Sequence, residues 1–374
     1  MSQTIKRLMH GLLMLTAVGQ VLFVPAIAAD KATSKYQVET IIDDLNVPWG
    51  MVQLSDSIFL VTERSGQMYR IDVKNGQRKE VSGLPKITSR NQGGLLDIEL
   101  HPDYNNNGWI YFSFASPEGE GRGDNTAIVR AKLKDNQLVE KQVVYKATPN
   151  STRSHHYGSR IEFDRQGYLF FSIGDRGNRS TNPQNLSLDG GKIYRLHDDG
   201  EVPKDNPFLS GDKPAIYSYG HRNPQGMALH PETGDIWIHE HGPKGGDEIN
   251  IVKRGRNYGW PVISYGVNYD GSAFTELTKK QGMEQPEHYW VPSIAPSGMT
   301  FVTSDKYPDW QGHLLVGSLK FGYLVLVKIN DDNQVYEQEV LFEGVGRVRN
   351  VQQLNDGYIY VAVDGQGIKK IKPL

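Results

Sequence analysis

Gly167-Tyr168-Leu169-Phe170-Phe171 decides the reading of the chain: a turn residue runs straight into four apolar or aromatic positions. Such a run is too short for a helix and suits a strand, because aromatic and β-branched side chains fit a pleated surface. The phrase returns as Ser57-Ile58-Phe59-Leu60-Val61, Gly108-Trp109-Ile110-Tyr111-Phe112, Gly234-Asp235-Ile236-Trp237-Ile238, Gly312-His313-Leu314-Leu315-Val316 and Gly357-Tyr358-Ile359-Tyr360-Val361. The copies lie roughly 45 to 80 residues apart, a long and uneven period that marks a radial repeat with insertions of different size. A second strand follows a glycine at Gly66-Gln67-Met68-Tyr69-Arg70-Ile71, Gly191-Lys192-Ile193-Tyr194-Arg195-Leu196, Gly322-Tyr323-Leu324-Val325-Leu326-Val327 and Gly367-Ile368-Lys369-Lys370-Ile371. The pattern predicts an all-β chain: a six-bladed β-propeller of four-stranded antiparallel blades. A β-sandwich is the plainer alternative but lacks this period.

Working outward, no helical periodicity is sustained beyond the N-terminal stretch. The polar, Gly-rich segments at Asp103 to Gly108 and Glu118 to Asn125 read as surface loops. Residues 36–374 therefore read as one domain. Ahead of it, Lys6 and Arg7, an apolar stretch from Leu8 to Val24 and the small-x-small site Ala26-Ile27-Ala28 form a secretory signal, residues 1–28. The alternative is an uncleaved anchor; after cleavage no stable membrane span is expected. The chain of 374 residues has no Cys, so an exported product relies on burial rather than disulfides, as suits a periplasm-like compartment. A net charge of -2 argues against a nucleic-acid partner.

A propeller gathers its chemistry from several blades, so site residues should be scattered just beyond strands. Five clusters qualify. In Ser154-His155-His156-Tyr157-Gly158-Ser159-Arg160, an extended backbone would let only one of two adjacent imidazoles face the axis, where it could act as a base. Tyr219-Gly220-His221-Arg222-Asn223-Pro224 presents a guanidinium, a planar donor for a carboxylate or carbonyl. The segment from Glu240 to Asn250 is a Gly- and acid-rich loop whose hard oxygens suit calcium, although His239 and His241 could instead share a transition metal. Lys320, Arg347 and Arg349, with Arg222, would form an anion pocket. Asn91-Gln92-Gly93-Gly94-Leu95-Leu96 is a turn before a strand. Phosphate loops, dinucleotide fingerprints and nucleophile elbows are missing, and without Cys thiol catalysis is excluded.

Taken in order, these strings resemble the soluble quinoprotein aldose dehydrogenases of the glucose/sorbosone dehydrogenase group. The resemblance also rests on Ile173-Gly174-Asp175, Gly245-Gly246-Asp247-Glu248-Ile249-Asn250, Asn257-Tyr258-Gly259-Trp260-Pro261 and Ser318-Leu319-Lys320, and covers nearly the whole mature chain. It implies a six-bladed propeller that holds pyrroloquinoline quinone (PQQ) and calcium, oxidises an aldose sugar and passes electrons to an unidentified acceptor. By resemblance His156 is the catalytic base. Gln92, Arg222, Asn223, Lys320, Arg347 and Arg349 bind the quinone, and Arg222 also steadies charge developing on it. The carbonyls of Gly242 and Pro243 hold the cofactor's calcium, and Glu248 with the Tyr258 carbonyl holds a second one. Two departures bear on the sugar: His155 stands where glucose-oxidising members have Asp, and Arg179-Ser180-Thr181 where they have a Gln-Leu pair. The competing readings are a calcium-dependent propeller lactonase or esterase and a non-catalytic binding propeller. The oligomeric state is not legible.

Overall fold

The computed structural model describes residues 33–374. Among these, 24 strands form six four-stranded antiparallel sheets, the blades of a propeller. The innermost strands are Pro48–Ser55, Leu95–Leu100, Ile161–Phe163, Pro224–Leu229, Pro296–Phe301 and Val348–Gln353, opening blades 1 to 6 in that order. They contact one another around the axis. Residues 1–28 lie outside the described residues, and no described helix is long and apolar enough to cross a membrane.

The six repeated phrases all fall on second strands: Ile58–Glu63, Trp109–Ser116, Leu169–Ile173, Ile236–Glu240, Leu314–Ser318 and Ile359–Val363. Their unbroken apolar character has a packing cause. Alternate side chains of a strand point to opposite faces, and each face of a blade meets a neighbouring blade. Leu169 and Phe171 join the core shared with blade 2, while Phe170 joins the core shared with blade 4. Leu315 and Leu314 divide in the same way between two cores. Six apolar clusters result, one at each blade interface. Burying such a side chain is worth about 1.5–3 kcal/mol, so the second strands carry much of the stability.

The ring is closed by its own ends. Tyr36–Ile42 pairs antiparallel with Gly367–Pro373, from Tyr36 opposite Pro373 to Ile42 opposite Ile368, and so becomes the outermost strand of blade 6. Two sequence expectations need adjustment. Asp103 to Gly108 is not wholly loop, since Tyr104–Asn107 forms a helical turn ended by Gly108 in the left-handed region. The segment read as a loop from Glu240 to Asn250 is loop only at its centre: Glu240 ends a second strand and Asp247–Ile251 is the third strand of blade 4.

Candidate active site

In an antiparallel blade the first strand begins where the second ends. All six such junctions meet at one mouth of the axial channel. The residues just before the first strands and just after the second strands line a cavity of about 290 Å³ there. Gln92, Asn223, Arg347 and Arg349 stand in its wall, with Trp49, Leu96 and Tyr157 as apolar surface.

Arg64, which follows the second strand of blade 1, lines the same cavity and was not singled out from sequence. Burial and the nearby Arg349 hold its guanidinium below its usual range. Arg347 Nε (3.1 Å) and Arg349 Nη2 (2.7 Å) both donate to Asp364 Oδ2. Three guanidinium groups thus face one carboxylate, and the wall carries surplus positive charge. Lys320 lies outside this lining; it is exposed, with Nζ 3.1 Å from the Ser293 carbonyl oxygen.

The two adjacent histidines do not take opposite faces. His156 has φ 57, so the backbone is left-handed rather than extended there, and the two rings meet edge to face at 4.6 Å. Gln92 Oε1 accepts the His156 backbone N–H at 2.8 Å. Gly174 is required behind this turn, because a Cβ would stand 2.4 Å from the His156 carbonyl oxygen.

The His156 ring has a partner that sequence reading left without a role. Its Nδ1 lies 2.7 Å from Asp175 Oδ1, while Trp260 Nε1 donates to Asp175 Oδ2 at 2.8 Å. Burial alone would raise Asp175, but the His156 bond, Arg222 and Trp260 outweigh it and hold the carboxyl below its ordinary range. An ionised acceptor places the imidazole proton on Nδ1 and leaves the Nε2 lone pair free. Burial, then Arg222, lower His156 to about 4 against the pull of Asp175, so the ring is neutral near pH 7. A neutral, oriented imidazole is a ready proton acceptor.

Arg222 packs beside this pair. Its guanidinium lies 5.3 Å from the Trp260 ring, its Nη1 donates to the His241 carbonyl at 3.1 Å, and its buried Nε has no protein partner. Arg179, in the stretch that departs from the glucose-oxidising members, sits over Phe274 at 4.7 Å and donates to Asn268 at 2.8 Å.

The loop between the second and third strands of blade 4 is pinned by Asp247. This carboxylate accepts the N–H groups of Gly242 (2.8 Å), Ile294 (2.8 Å) and Ala295 (3.0 Å). The carbonyl oxygens of Gly242, Pro243 and Tyr258 accept no hydrogen bond among the described residues. Burial, then Glu240, push Glu248 up to about 8, and the buried Oδ1 of Asn250 has no donor. Unpartnered oxygens next to crowded carboxylates fit a hard cation. His239 and His241 do not form a metal pair: their Nε2 atoms face the carbonyl oxygens of Gly298 (3.3 Å) and Pro296 (2.6 Å) on blade 5.

A family model described as Glucose / Sorbosone dehydrogenase matches residues 45–371. The chain is 39% identical over 340 residues to aldose sugar dehydrogenase YliI of Escherichia coli strain K12, covering 89% of this chain and 91% of that protein. It is also similar to the crystal structure of the soluble aldose sugar dehydrogenase of Escherichia coli in its apo form, with 37% identity, a TM-score of 0.85, and coverage of 91% of this chain and 100% of that one. The PQQ-bound form of aldose sugar dehydrogenase from Streptomyces coelicolor superposes with a TM-score of 0.75 at 26% identity, over 90% of this chain and 98% of that one.

Proposed function

The chain belongs to the glucose and sorbosone dehydrogenase family, and on that footing we propose that it is an exported, periplasmic quinoprotein that oxidises aldose sugars at the anomeric carbon to lactones. The observation that carries the reading is a cavity with three guanidinium groups against one carboxylate, whose wall residue Gln92 bonds the backbone of a neutral histidine held by an ionised aspartate. PQQ bears three carboxylates, and surplus guanidinium charge gathered around one cavity suits such an anion. The similarity to aldose sugar dehydrogenases, one of them in a PQQ-bound form, supports an aldose substrate and PQQ as cofactor.

In this reading Arg64, Arg347 and Arg349 bind the cofactor's carboxylates, with Lys320 adding charge at the rim and Gln92 and Asn223 shaping the wall. The carbonyls of Gly242 and Pro243 hold its calcium, and Glu248 with the Tyr258 carbonyl holds a second, structural calcium. When bound, PQQ with calcium would supply an electrophilic carbonyl able to accept a hydride from an anomeric carbon. His156 Nε2 accepts the proton of the anomeric hydroxyl, and Asp175 keeps the imidazole in the accepting tautomer. Arg222, with a free Nε, stabilises negative charge at the quinone oxygen. Turnover would require an external electron acceptor.

The decisive experiment strips the mature protein of metal and adds back PQQ and calcium, singly and together, before a panel of aldoses with an artificial electron acceptor. Dye reduction only with both is expected. Inactivity across the panel, or calcium-only hydrolysis of lactones, would overturn the reading.

A further inference from the structure

The axial channel has a second cavity, of about 270 Å³, at the opposite mouth, where the innermost strands finish. Arg160 lines it and separates it from the cation-rich cavity. Glu99 of blade 2 and Glu162 of blade 3 both line it. Each accepts a backbone N–H, Glu99 from Leu100 at 3.1 Å and Glu162 from Phe163 at 2.9 Å, and neither forms an ion pair among the described residues. The cavity's one guanidinium, Arg160, is already matched by Asp97 at 3.0 Å. Two negative charges are left without a counterion.

A second observation points to a ligand. Gln53 of blade 1 lines the same cavity, is only 4% exposed, and its Oε1 accepts no hydrogen bond. Gln352 of blade 6 lines it too, with an equally unpartnered Oε1. Asn350 adds an unpaired Nδ2, a donor for a carboxylate oxygen or a water in an ion's shell. Two carboxylates and two amide oxygens from four blades, enclosing a net charge of about -2, match the ligand preference of a hard divalent cation completed by water.

We propose that this cavity is a divalent-cation site built by Glu99, Glu162, Gln53 and Gln352, separate from the calcium positions of blade 4. The ion would link the innermost strands of blades 1, 2, 3 and 6 at this mouth, across Arg160 from the cofactor cavity.

The test counts calcium bound per chain at pH 7.5, in metal-stripped protein titrated without PQQ, for the wild type and for E99Q/E162Q. The double variant should bind one ion fewer and lose part of the calcium-induced rise in melting temperature. Its PQQ-reconstituted sugar oxidation should equal the wild type's. An unchanged ion count overturns the site, whatever the outcome for sugar oxidation. Should the double variant not fold, E99Q alone decides: the affinity of one calcium is expected to fall by at least about tenfold, and an unchanged affinity refutes the proposal.

Discussion

The two mouths of the axial channel are made by the same six strands and are electrostatic opposites. Where the strands begin, Arg64, Arg347 and Arg349 share one carboxylate, Asp364. Where they end, Glu99 and Glu162 form no ion pair among the described residues. Arg160 stands between them, in contact with nearly the whole ring. It donates to Asp97 of blade 2, to the Gln225 carbonyl of blade 4 (2.7 Å) and to the Arg349 carbonyl of blade 6 (3.1 Å), and it stacks 4.1 Å from the Trp49 ring of blade 1. Ser297 of blade 5 reaches the same Arg349 carbonyl at 2.7 Å. A repeated scaffold offers equivalent positions at both ends. Single side chains at those positions make one end positively charged and the other negatively charged.

The comparison fails most visibly if the divider is removed. Arg160→Met leaves Asp97 buried and unpaired, and breaking a buried pair costs about 3–5 kcal/mol. Urea unfolding should report a loss of that size; a loss below about 1 kcal/mol would mean that the junction is not structural.

At the anion end, His156→Ala should lower kcat by about 10²–10⁴-fold, while PQQ still binds, as followed by its absorbance. A near-normal rate would sink the base assignment. The neighbouring pair also sets a pH limb. Because His156 must be neutral to accept a proton and its folded pKa is about 4, kcat/KM should hold down to roughly pH 5 instead of falling near the model histidine value of about 6.5. The same depression has a stability sign: the unfolded chain binds this proton first. His156 therefore contributes stability above about pH 6.5 that is lost as the pH falls towards 4. His156→Gln should flatten that part of the stability-pH curve.

Smaller effects separate wall from rim. Arg349→Ala removes a charged donor from the cavity and should weaken PQQ binding by about 10- to 100-fold, since hydrogen bonds to charged groups are worth about 1.5–3 kcal/mol. Lys320→Ala, at the exposed rim, should cost no more than about fivefold, in line with exposed ion pairs. If the two variants behave alike in a PQQ titration, the distinction between wall and rim is wrong.

How much of this was readable from sequence follows from burial. The second strands stood out because both of their faces enter apolar cores, which writes unbroken runs such as Leu169-Phe170-Phe171. The innermost strands did not. Ile161–Phe163 is only 3 residues long, and such strands alternate core-facing with channel-facing side chains, including Glu162. Arg347 and Arg349 were legible because residues two apart share a face, and both do meet Asp364. Arg64 was not, since nothing in Thr62-Glu63-Arg64 distinguishes a strand end at the mouth from one at the rim. Asp175 was quoted only as part of a string; its hold on His156 needs a left-handed backbone at that histidine, which the run of two imidazoles does not announce.

Tyr36–Ile42, near the start of the described chain, completes a blade whose other strands are at its end. Five blades are built from consecutive sequence, but the sixth joins Tyr36–Ile42 to three strands from Val348 onward. Until that pairing forms, Tyr36–Ile42 is an edge with unpaired backbone groups open to wrong partners. Bringing such distant segments together is slow compared with local pairing. Ring closure thus depends equally on both strands of the clasp, and clipping a few residues from either one should lower the melting temperature by a similar amount.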